Sequence, residues 1–170
     1  MRYDRRLLWV VLTGVAVSWV LPVWAAESQE PPALPVPERV SLSLYTRLGE
    51  MDGIEKVVDD FVGRAMADSK VNFTRQGKQR TWVADTESVA KLKKHLAQFI
   101  SMATGGPGEY QGRGMQEAHQ GLEITDKEFS ALIEDLRASL KKAGVGPQEQ
   151  EELLSVAEST RGAIVQSKDS

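Results

Sequence analysis

Two histidines, His95 and His119, are the side chains of this 170-residue chain best suited to bind a metal. The chain has no cysteine, so disulfides, thiol catalysis and thiolate metal sites are excluded. Neither histidine belongs to an HExxH run or a His pair of the spacing a zinc site needs. No GxSxG elbow presents a serine nucleophile, and no glycine-rich phosphate loop follows a strand. The acidic pairs Asp59-Asp60 and Glu151-Glu152 read as solvated helix faces. His95 lies three residues after Leu92 and four before Phe99, so the three share a helical face and the imidazole sits at the edge of an apolar stripe. His119 follows Met115 by four and Ala118 by one. Each histidine taken alone reads more readily as a surface or satisfied core residue. The pair reads differently. Two imidazoles on two helices separated by Gly105-Gly106 can face each other across a flat apolar slot, and that is one way a haem iron is held.

The elements that must position these side chains are helices. Apolar residues recur at helical spacing from about residue 41 to 166, and no segment alternates convincingly as a strand does. Leu42, Leu44, Tyr45 and Leu48 predict a short first helix stopped by Gly49. Ile54, Val57, Val58, Phe61, Val62, Ala65 and Met66 form one buried stripe of a longer helix. Residues 68–84 read as a loop tacked to the core by Val71, Phe73 and Trp82. Asp85 or Thr86 caps the next helix, whose stripe is Val89, Leu92, Leu96, Phe99, Ile100 and Ala103. Gly105-Gly106-Pro107-Gly108 ends it. Met115, Ala118 and His119 fall on a very short helix. Thr125 to Glu128 is a capping box opening a helix with Phe129, Leu132, Ile133, Leu136 and Leu140. Gly144-Val145-Gly146-Pro147 breaks it, and Pro147 starts a last helix with Leu153, Leu154, Val156, Ala157, Ile164 and Val165. The predicted class is all-α, a layered helical bundle.

The amino terminus reads as an address. Met1 to Arg6 carries three arginines, Leu7 to Leu21 has no charge, and small residues follow. This is the pattern of a secretory signal over residues 1–25, cut after Ala25, with an uncleaved outward-facing anchor as the alternative. Residues 26–40, with Pro31, Pro32, Pro35 and Pro37, form an extended linker, and residues 167–170 a tail. The domain is thus expected to be exported, in the periplasm, and to meet a membrane only if the anchor stays. Net charge is −3, and without the first 25 residues 18 basic stand against 23 acidic side chains. A mildly acidic domain without a basic stripe is a poor nucleic-acid binder.

Gly105-Gly106-Pro107, Tyr110, Gly112, Met115 and His119, followed by Ile124-Thr125 and Phe129, resemble the signature of group I truncated haemoglobins. Leu44-Tyr45, Leu48-Gly49, Val57-Val58-Asp59 and Phe61 match that family's opening helices in the same order. The resemblance spans about residues 42–160. It implies a truncated two-over-two globin sandwich around one haem b held non-covalently, with His119 as the proximal iron ligand. Phe99, Ile100, Met115, Ile124 and Phe129 fall where the family lines the haem. Burying such side chains against a porphyrin contributes roughly 1.5–3 kcal/mol each.

The departures concern the distal side. Where the family usually places a Tyr hydroxyl that donates to the diatomic ligand, this chain has Val62 after Phe61. Where it often offers Gln, this chain has Leu92 and Leu96. Each lost net hydrogen bond costs the ligand about 0.5–1.5 kcal/mol. The family's aromatic wedge has no in-register match, since Thr74-Arg75 occupies its place, and Phe73 is the substitute. His95 is then the one polar distal candidate, and some relatives use a His there as a sixth iron ligand. Three readings follow: a reversible binder of O2, NO or CO; a bis-histidyl electron carrier or redox sensor, served by a reductase; and a helical interaction domain without cofactor. Val62 in place of Tyr disfavours NO dioxygenase activity.

Overall fold

The computed structural model describes residues 42–78 and 81–166. The expected signal, linker and tail, residues 1–25, 26–40 and 167–170, lie outside the described residues. Helix α1 (Leu44–Arg47) starts at Ser43, whose hydroxyl accepts the Thr46 N–H. Helix α2 (Glu50–Ala67) follows at once, and α3 (Thr86–Ala103) is capped by Asp85, which accepts the Ser88 N–H at 2.8 Å. The short helix is α4 (Met115–His119). The capping box forms in full at α5 (Asp126–Lys142), and Pro147 occupies the first turn of α6 (Pro147–Glu158). A single turn, α7 (Arg161–Ile164), closes the described chain.

Helix α2 packs against α3 and α5, and α5 against α6, so two helix pairs lie one over the other. The core between them holds Ile54, Val58, Val62, Phe129, Leu140 and Leu153, each at most 2% exposed. Burial of that depth is the main favourable term in folding. At the end of α3, a Cβ on Gly106 would come within 2.4 Å of the Tyr45 ring and of the Ser101 hydroxyl. Only a glycine lets α1 dock there, where the Tyr45 N–H donates to the Thr104 carbonyl at 2.9 Å.

Four expectations are corrected. Leu42 precedes α1 and is exposed, so it takes no part in the first helix. The α2 stripe ends at Ala65, because Met66 points outward at 39% exposure. On α3 the buried residues are Ala97, Ile100 and Ser101, whereas Val89, Leu92, Leu96 and Phe99 are half-buried and Ala103 is exposed. The last helix is two pieces. The Ser159 hydroxyl donates to the Val156 carbonyl at 2.6 Å and the Thr160 hydroxyl to the Ala157 carbonyl at 2.7 Å. Hydroxyls bonded locally in this way compete with the helical ladder.

Candidate functional site

Helix α4 carries Met115, Ala118 and His119 on five residues, none of them fully buried. The His119 Nδ1 lies 2.8 Å from the Met115 carbonyl oxygen. A carbonyl only accepts, so Nδ1 carries the proton. Burial lowers the imidazole pKa, the Met115 bond works against that shift, and Arg113 adds to it. The neutral ring, protonated at Nδ1, leaves its Nε2 lone pair free for a metal.

The half-buried apolar side chains Leu92, Leu96 and Phe99 of α3, Met115 of α4 and Ile124 all pack against the core cluster that contains Ile100 and Phe129. Nine of the ten sequence-predicted haem contacts therefore lie on α3, on α4 or at the start of α5, with the apolar ones in or against a single cluster. The tenth does not join them. Phe73 packs edge-on against Trp82, with ring centroids 5.6 Å apart, outside that cluster. Val62, where a distal hydroxyl was missing, is fully buried.

His95 and Phe99 do share a face of α3, and one side chain meets both. The Tyr110 ring lies edge-on to His95 with centroids 6.2 Å apart and to Phe99 at 5.8 Å. Sequence reasoning placed Tyr110 in the motif without a role. It also missed Arg75, which is 3% exposed and pairs with Glu128 at 2.9 Å while donating to the Glu123 carbonyl at 3.0 Å. No local pattern marks a loop arginine as buried. Arg161, whose guanidinium stands 4.4 Å from the Phe129 ring centre, was missed as well.

The donor set suits a haem. One neutral imidazole nitrogen is free, half-buried apolar side chains of α3, of α4 and at the start of α5 pack against one cluster, and α3 carries a second imidazole. Two surface clefts lie elsewhere. One, beside Asp60, Ser139 and Lys142, has a volume of about 600 Å³. The other, about 450 Å³, is lined by Met51, Val58, Lys93 and Ala97. Both are bordered by charged side chains and neither includes a histidine.

A family model described as bacterial-like globin matches residues 43–166. The group 1 truncated hemoglobin of Tetrahymena thermophila is 32% identical over 119 residues, covering 70% of this chain and 91% of that protein. The crystal structure of the truncated hemoglobin from Tetrahymena pyriformis in its Fe(III) form superposes with a TM-score of 0.63 at 28% identity, covering 74% of this chain and all of that one. The 2/2 hemoglobin from Synechococcus sp. PCC 7002, solved in the cyanomet state with covalently attached heme, has a TM-score of 0.63 at 29% identity, covering 73% and 98% of the two chains. With the fold, the glycine-to-histidine motif and the family match in agreement, the chain belongs to the bacterial-like globins and has the truncated two-over-two fold.

Proposed function

We propose that this globin holds one haem b non-covalently through His119 Nε2 and reversibly binds a diatomic ligand, O2, NO or CO, on the side of α3. The observation that carries this reading is the bond from Nδ1 of His119 to the Met115 carbonyl. It fixes the tautomer and aims the free nitrogen away from its own helix. When bound, the haem supplies a ferrous iron with an open or exchangeable coordination site. The protein's part is to hold that iron from His119 and to surround the porphyrin with Leu92, Leu96, Phe99, Ile100, Met115, Ile124 and Phe129. Phe73 is retained as a contact from the loop. With no cysteine in the chain, no thioether to the porphyrin forms. The apolar distal side, with Val62 and without the leucines' polar counterparts, favours easy ligand release over tight oxygen storage. The amino-terminal pattern supports export to the periplasm.

A second reading is favoured by one observation: His95 shares a face of α3 with Phe99 and lies beside the same cluster. In that reading His95 is the sixth ligand, and the protein passes electrons or senses redox state with a separate reductase. The absorption spectrum decides. Haem added to the purified chain is expected to give a Soret band, and His119→Ala is expected to abolish stable ligation; an unchanged mutant spectrum overturns the assignment. Sharp, split visible bands in the ferrous, ligand-free state indicate six coordination, which His95→Ala converts to five. A single broad band removes His95 from the iron. No Soret band in the wild type leaves a helical interaction domain.

A further inference from the structure

Helix α4 has little of its own to hold it. Five residues are far too few for a stable isolated helix. Its N-cap is Gly114, which makes no side-chain cap bond, and Gly121 just beyond it has φ +76°. Helix α4 packs against α7, which is itself one turn. What fixes these two fragments is a set of bonds from the end of the described chain. The Gly121 N–H donates to Gln166 Oε1 at 3.0 Å, and the Gln166 N–H donates to the Ile124 carbonyl at 2.9 Å. Gln166 thus grips the segment leaving His119 at two points. Arg161, at the start of α7, donates to Asp126 at 2.5 Å, to Glu158 at 2.8 Å and to Ser130 at 3.3 Å, with its guanidinium over Phe129. These contacts pin α7 to the first turn of α5.

We propose that Gln166 and Arg161 form a carboxy-terminal clasp that positions α4, and through it the His119 imidazole, so that they are positioning residues for the proximal ligand. The proposal rests on the haem reading above. The break at Ser159 and Thr160 follows from the same design. A continuous last helix would run straight on, whereas the turn brings α7 against α4. Gln166 is exposed, so substituting it leaves the core untouched.

The test compares the full chain with Gln166→Ala, Gln166→Glu and Arg161→Lys in three measurements. Hydrogen exchange at the Gly121 amide is read in the purified protein. The rate of haem transfer to an excess of an apo-globin acceptor and the iron–histidine stretching band are read in the haem-loaded ferrous protein. Gln166→Ala is expected to speed Gly121 exchange and haem loss by about twofold to tenfold, the range one net hydrogen bond spans, and to shift the stretching band at an unchanged Tm. Gln166→Glu keeps the accepting oxygen and is expected to stay within about twofold of the wild type. Arg161→Lys loses the forked donor and is expected to resemble Gln166→Ala. Wild-type exchange and haem loss in Gln166→Ala overturn the clasp. Faster exchange with unchanged haem loss and stretching band overturns the positioning role. Gln166→Glu behaving as Gln166→Ala overturns the hydrogen-bond assignment. A chain that takes up no haem refutes the haem reading instead, while Gly121 exchange still reports the clasp.

Discussion

At the scale of the residue, His119 shows how little a side chain's neighbours in sequence reveal. Its spacing from Met115 predicted a shared face. The Nδ1 bond to the Met115 carbonyl, which decides the free nitrogen, exists only in the fold. Tyr110 extends the same point to α3. Its ring holds both His95 and Phe99 at their edges, and Gly112 is the reason it fits. A Cβ at residue 112 would lie 2.1 Å from the Tyr110 hydroxyl oxygen and 2.2 Å from Cζ. Gly112→Ala must therefore displace the ring. The expected result is a change of about twofold to tenfold in the CO-binding rate of the ferrous protein, the span of one edge-to-face aromatic contact. Tyr110→Ala should change it in the same direction and Tyr110→Phe hardly at all. Wild-type rates in Gly112→Ala would show that the ring has no hold on His95.

At the scale of the element, the start of α5 does two jobs with one carboxylate. Glu128 Oε2 accepts the Thr125 N–H at 2.8 Å and closes the capping box, while Oε1 pairs with Arg75 at 2.9 Å. The cap was legible from Thr125 and Glu128 alone, because it is a contact three residues long. The Arg75 pair crosses 53 positions of sequence from a loop residue at φ +57°, and no periodicity announces it. Glu128→Ala removes the counter-charge of a buried guanidinium, leaving it the Glu123 carbonyl, and also opens the capping box, so it is expected to cost about 3–5 kcal/mol. Arg75→Ala leaves Glu128 with its cap bond and is expected to cost less, about 2–3 kcal/mol. Urea unfolding of both variants and of the double variant checks this: the double variant should cost clearly less than the two single costs added together. Full additivity would show that the pair is not coupled.

At the scale of the molecule, two carboxyls oppose each other in their response to acid. Asp60 on α2 is bonded by Lys142 and Ser139 of α5 and by Arg64, and these partners, Lys142 first, hold its carboxyl well below the usual range. Its folded pKa is depressed, so its contribution is complete above the ordinary carboxylate value near about 4 and is lost as pH falls below it. Asp135 has the opposite shift, raised by burial and by Asp68, and its Oδ2 is buried without a hydrogen-bond partner. A raised carboxyl favours the fold below its pKa and opposes it above. Asp60→Asn is thus expected to lower Tm at pH 7, by the equivalent of roughly 1–3 kcal/mol for lost bonds to a charged group, with the gap narrowing in acid. Asp135→Asn is expected to raise Tm at pH 7, and that gain should fade as pH falls through the carboxylate range. Parallel Tm-against-pH curves for either variant and the wild type would refute the assignment.

The sequence by itself determined the main helices α2, α3 and α5, the caps at Asp85 and Thr125, and the motif running from Gly105 to Phe129. Periodicity, capping and glycine stops are contacts within about four residues, and such contacts are written in the order of the residues. Through its resemblance to group I truncated haemoglobins it also raised the expectation that Val62, Leu92 and Leu96 stand where that family places polar distal side chains. Tertiary structure decided the rest: that Phe73 turns to Trp82, that Tyr110 meets His95, that Arg75 is buried, and that the last helix breaks so that α7 and Gln166 reach the segment after His119. Each of these joins positions whose nearness depends on how whole helices pack, and packing is set by shape and burial across the core.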